Sequence, residues 1–98
     1  MADRSSLKGW VLAALRELDG EGKIVEVCKI VWRDHADELE ASGDLFFTWQ
    51  YDIRWAAQYL RDNGYLVSVQ RRRDAPWVLS ELGRTTDPDA AAEAAGRR

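Results

Sequence analysis

Apolar positions recur at helical spacing through the first two thirds of this chain, and the period changes after Gly64. The clearest helix runs from Phe46 to Asn63, where Trp49, Ile53, Ala56, Ala57 and Leu60 fall on one side. Gln50, Arg54, Gln58 and Arg61 recur on the opposite side. Thr48 fits the N-cap of this helix, and Asn63-Gly64 supplies its stop. Upstream, Ser5 or Ser6 caps a first helix that reaches about Leu18, with an apolar stripe of Leu7, Trp10, Val11, Ala14, Leu15 and Leu18. Asp19-Gly20-Glu21-Gly22 breaks that helix, because two glycines in three residues favour a turn. Gly22 to Val25 reads as a short extended piece. A second helix follows from about Val25 to Arg33 or beyond, with Val27, Ile30 and Val31 on one face. Residues 34–40 keep the helical period but are acidic, so a hinge is expected near Arg33. Residues 41–44, Ala-Ser-Gly-Asp, end this stretch.

After Gly64, Tyr65 to Gln70 is rich in β-branched and apolar residues and is short enough for one strand. Trp77 to Ser80 is its natural partner across the polar loop Arg71-Arg72-Arg73-Asp74-Ala75-Pro76. The fold expected is therefore α+β: a winged helix-turn-helix with a three-helix core and a two-stranded hairpin wing. It spans residues 1–84. Residues 85–98 are alanine-rich without a large apolar side chain, and are expected as a disordered tail.

Ninety-eight residues suffice for one small core. No stretch approaches the roughly 20 apolar residues of a membrane span, and the N-terminal apolar run lacks the cleavage pattern of a signal peptide. The one cysteine, Cys28, cannot form an internal disulfide, which suits a reducing cytoplasm. The net charge of −3 is unevenly spread. Residues 1–53 hold six basic and eleven acidic side chains, whereas residues 54–84 hold six arginines against three acids. Local patches decide what such a dipolar domain attracts, more than its sum does.

Arg reads guanine and Gln reads adenine through paired hydrogen bonds in the major groove. With Thr48, Gln50, Tyr51 and Arg54 on the N-terminal part of the third helix, those four are placed nearest bases, and Gln58 and Arg61 nearer the DNA backbone. Arg71, Arg72 and Arg73 repel one another, so their clustering gains most from an anion, here phosphates or the minor groove. Lys8, Lys23 and Lys29 are candidates for further backbone contacts. Trp55 and Tyr59 read as packing residues that meet Trp77 of the wing. Cys28 and His35 lack companions for a metal site, and no glycine-rich phosphate loop occurs.

Arg54-Trp55-Ala56 with Tyr59-Leu60, Gly64-Tyr65-Leu66, and the closing Trp77-Val78-Leu79-Ser80-Glu81-Leu82-Gly83 resemble the N-terminal winged-helix domain of Mrr-type restriction proteins. The likeness covers about Leu7 to Arg84. It implies a DNA-binding module, in the family usually fused to a nuclease that cuts modified DNA. The chain stops where that nuclease would begin. Its one Glu-x-Lys, Glu21-Gly22-Lys23, sits in a glycine turn and is expected to be non-catalytic. Ser80 stands where the family often has Thr.

Together these features predict a cytoplasmic, non-enzymatic protein without a cofactor that binds double-stranded DNA, as a regulator or as a targeting module. The rival expectation is a winged helix that docks a protein partner or a second copy through the acidic segment Asp34 to Glu40.

Overall fold

The computed structural model describes residues 3–67, 75–88 and 90. Among these residues, four helices and a small sheet follow one another as α1 (Ser6–Glu17), β1 (Glu21–Gly22), α2 (Ile24–Glu40), α3 (Leu45–Asp62), β2 (Trp77–Val78) and α4 (Glu81–Thr85). The fold is α+β, mostly helical, with a two-stranded antiparallel sheet, and its order is compatible with a winged-helix-like layout.

Helix α1 packs against both α2 and α3. Leu7, Val11, Leu12, Ala14 and Leu15 are buried on it, a wider arc than one stripe because it has partners on two sides. Its end is fixed by backbone conformation. Asp19 and Gly20 take positive φ (63° and 101°), and the Gly20 amide donates back to the Leu15 carbonyl at 2.7 Å. This left-handed close, for which glycine carries no Cβ penalty, turns the chain directly into β1.

β1 is shorter than expected, since Ile24 already opens α2. The main-chain amide of Lys23 donates to the Glu26 carboxylate at 2.9 Å, which ties down the start of that helix. α2 is one helix with a kink at His35 (φ −130°, ψ 17°), two residues beyond the expected hinge. The acidic half still contributes to the core through Leu39. α3 buries Leu45, Trp49, Ile53, Ala56, Ala57 and Leu60, which includes the whole expected stripe. It begins at Leu45, behind Asp44. Thr48 is therefore inside the helix and not its cap, and its hydroxyl donates to the Asp52 carboxylate at 2.8 Å.

The sheet differs from the expected hairpin. β2 pairs with β1, Glu21 opposite Val78 and Gly22 opposite Trp77. The other side of β2 meets the chain after α3 through a Leu66–Leu79 bridge, a Val67 amide to Val78 carbonyl bond (2.8 Å) and a Ser80 amide to Tyr65 carbonyl bond (3.0 Å). The expected pairing of the two strands is thus seen at Tyr65 to Val67 alone. Residues 68–74, on which the rest of the expected hairpin falls, lie outside the described residues. β1 adds what the hairpin reading omitted: it satisfies the second edge of β2, whose backbone groups would otherwise be unpaired.

Ser80 ends the strand and caps α4, accepting from the Gly83 amide at 3.0 Å and donating to the Gly64 carbonyl. A Ser80→Ala chain is expected to lose about 1 kcal/mol, the usual worth of such a cap, measurable by urea unfolding. α4 docks closely against the segment that follows α3. A methyl group on Gly83 would lie 2.1 Å from the Tyr65 carbonyl oxygen. The guanidinium of Arg16 on α1 donates to the Gly83 carbonyl (3.1 Å) and to that of Thr86, and Pro88 passes next to Gly9. Residues 85–88 of the segment expected as tail therefore run along α1, while residues 89 and 91–98 lie outside the described ones.

Candidate nucleic-acid interface

The exposed side of α3 and the first half of α2 frame two adjoining hollows, each of about 480 Å³. Ile24, Val25 and Arg54 belong to both. The first is completed by Cys28, Lys29, Trp32, Trp49 and Gln50, the second by Lys23, Ala57, Gln58, Arg61, Ala75 and Trp77. Four cations, Lys23, Lys29, Arg54 and Arg61, thus share one face, and no carboxylate is among the described residues lining it. A group of cations of this kind favours an anionic partner. Arg54 also acts on Cys28: burial pushes that thiol up from its ordinary pKa, and the nearby guanidinium pulls against the rise.

The expected site residues divide within this frame. Gln50, Tyr51 and Arg54 are exposed, Tyr51 with 77% of its surface free. One Arg54 nitrogen donates to the Gln50 main-chain carbonyl at 2.8 Å, which lays the guanidinium along the helix beside the first hollow. Gln58 and Arg61 are tied up locally. The Gln58 amide donates to Asp62 at 2.8 Å, and its oxygen accepts from Arg61 at 2.9 Å. A glutamine so engaged is a poor adenine reader, because both ends of its amide are already used. The Arg61 Nε is buried and has no partner among the described residues. Thr48 bonds Asp52 and lines neither hollow. Arg71, Arg72 and Arg73 lie outside the described residues; the chain re-enters at Ala75, on the rim of the second hollow.

Two expectations about neighbouring residues change. Trp55 and Tyr59 do not meet Trp77, which lines the second hollow. They face the start of α1, where the Arg4 guanidinium lies 4.0 Å from the Trp55 ring centre and the Lys8 ammonium 4.1 Å from that of Tyr59. Lys8 is consequently buried, 2% exposed, and is no backbone-contact candidate. Its pKa is lowered, chiefly by that burial, with Asp3 opposing. A buried cation on ring faces is a packing arrangement in which the rings supply part of the lost hydration. Lys23 and Lys29, by contrast, lie on the shared face.

The acidic half of α2 is partly engaged with its own neighbours. Arg33 bonds Asp34 at 2.8 Å and Glu17 at 2.7 Å, and these hydrogen bonds hold both carboxyls below the usual carboxylate range. His35 stacks on Trp10 with ring centres 3.9 Å apart and meets the Glu38 carboxylate at 2.7 Å. Cys28 and His35 are accordingly in separate surroundings, and no group of three metal-ligating side chains occurs among the described residues.

Residue patterns underplayed one feature. Val25 and Phe47 are large apolar side chains left 60% and 83% exposed, whereas the partial exposure of Trp32, 42%, is the one expected among the tryptophans. The Phe46-Phe47 pair was a signal: adjacent helical residues point about 100° apart, so the two rings cannot share one buried stripe.

No match is found among protein-family models, curated proteins or solved structures. Among the described residues, no helix is long and apolar enough to cross a membrane.

Proposed function

We propose that this chain is a winged-helix module that binds duplex DNA without catalysis, in the cytoplasm, as a regulator or as the targeting part of a larger system. The observation that carries this reading is the convergence of Lys23, Lys29, Arg54 and Arg61 on one face with no lining carboxylate among the described residues. The N-terminal half of α3 enters the major groove, with Gln50, Tyr51 and Arg54 at base edges. Lys23, Lys29 and Arg61 lie against phosphates, and the wing arginines Arg71, Arg72 and Arg73 extend the same grip. Thr48 and Gln58 drop to minor roles, since each is held by an acidic neighbour. The resemblance of residues 54–66 and 77–83 to the Mrr-type N-terminal domain points the same way.

Titration of a labelled random duplex at about 50 mM salt, repeated as salt is raised, tests the proposal. Binding whose logarithm falls linearly with that of salt is expected. The slope approaches about −5 if the six cations assigned to phosphates all meet them. A chain that binds no duplex at the low-salt end refutes the reading.

The rival use of residues 34–40 as a partner surface has less behind it, because Asp34 and Glu38 already spend their carboxylates on Arg33 and His35.

A further inference from the structure

An aromatic series leads from the first hollow to the protein surface. Trp49 at its floor is stacked on Trp32, ring centres 6.2 Å apart and 8° from parallel. Trp32 meets Phe46 at 6.4 Å, and Phe46 meets Phe47 edge-on at 5.1 Å. Phe47 ends the series almost fully in water. Val25 continues the apolar surface on the α2 side, and Lys29 and Arg54 border it. Phosphates do not use apolar surface, so duplex DNA leaves most of this area without a purpose. Exposed aromatic side chains beside arginine are instead the composition of protein-interface centres.

Charge selects the occupant. Two copies of the chain facing each other across this surface would set Lys29 and Arg54 of one near those of the other, so two-fold self-association is disfavoured. The acidic half of α2 offers its own apolar residue, Leu39, only to the core. We infer that the groove between α2 and α3, with its Trp32–Phe46–Phe47 extension, docks an acidic amphipathic segment of a partner protein. Large apolar residues of the segment, on one helical face, fill the groove, and its carboxylates meet Lys29 and Arg54. Because Arg54 and Gln50 serve both surfaces, the segment and DNA compete.

Selection of random 16-residue displayed peptides on the whole chain tests this, followed by titration of the leading synthetic peptide. The expected winners are net negative, with two or three large apolar residues at helical spacing. Phe47→Ala and Trp32→Ala should each weaken the peptide at least about tenfold, as expected of interface anchors, with helical content by circular dichroism unchanged. Lys29→Glu combined with Arg54→Glu should abolish the interaction. Phe47→Ala should leave duplex affinity within about threefold, which separates this surface from the DNA site. Neutral or basic winners, no winners, or a leading peptide indifferent to Phe47 and Trp32 would each overturn the inference. So would a Phe47→Ala chain that loses DNA and peptide alike, or a dimer at micromolar concentration that Trp32→Ala dissolves.

Discussion

A Gly83→Ala chain is expected to lose a large part of its stability, although one methyl group is all that is added. That methyl would sit 2.1 Å from the Tyr65 carbonyl oxygen, well inside contact distance, and the obstacle is backbone that cannot rotate away. Overpacking of this kind costs about 1–3 kcal/mol and occasionally more; here the upper end is expected, because relief requires α4 to lift. Lifting α4 also strains the bond from Arg16 to the Gly83 carbonyl and the Ser80 cap. Against a total of roughly 5–10 kcal/mol for a domain this small, the urea midpoint should fall visibly. An unchanged midpoint would mean that α4 does not dock where the structure places it. Ser80→Ala gives the calibration, since it weakens the same helix without forcing anything apart.

The second large effect concerns DNA. Arg54 is the cation, among the described residues, that borders both hollows. Arg54→Ala should weaken duplex binding about tenfold to a hundredfold if the guanidinium reaches a guanine edge, the usual worth of such a contact being about 1–3 kcal/mol. Arg54→Glu should weaken it further, because a carboxylate would then face the phosphates. The salt dependence tells the two roles apart. Loss of a base contact leaves the slope nearly unchanged, whereas loss of a phosphate contact lowers it by about one. Gln58→Ala, on the same helix, should change little, since its amide is already held by Asp62 and Arg61. Equal affinity of the Arg54→Glu chain and the parent at low salt would exclude this face as the DNA surface. The peptide experiment remains informative in that event, as its anchors are Trp32 and Phe47.

The periodicity of apolar residues identified the three long helices and most of the core. Trp49, Ile53, Ala56, Ala57 and Leu60 are buried as one stripe, and so are Leu7, Val11, Ala14 and Leu15. A single helical period dictates which residues turn inward, whatever they pack against. The turns at Asp19-Gly20 and Gly43 were legible for a similar reason, because positive φ there follows from the residue types. The Leu66–Leu79 bridge falls within the strand pairing expected from the run after Gly64.

Other features depended on neighbours distant in sequence. β1 exists because β2 comes to pair with it, and two residues give no pattern of their own. α4 exists because Ser80 changes from strand residue to cap once Leu79 has made its bridge. The burial of Lys8 needed the ring faces of Trp55 and Tyr59, about fifty positions away. The polar side of α3 shows the same division. Its residue types marked Gln50, Arg54, Gln58 and Arg61 as one reading face, and local bonds then withdrew Gln58 while Lys23, just before α2, and Lys29 on it joined that face.

By itself, then, the sequence determined the three long helices, the turn positions and an unequal distribution of charge, all of which follow from spacing and residue type within a few positions. The tertiary structure decided which of those charges share a face and which aromatic rings remain in water. Those are outcomes of packing α1, α2 and α3 together, and no local period encodes them.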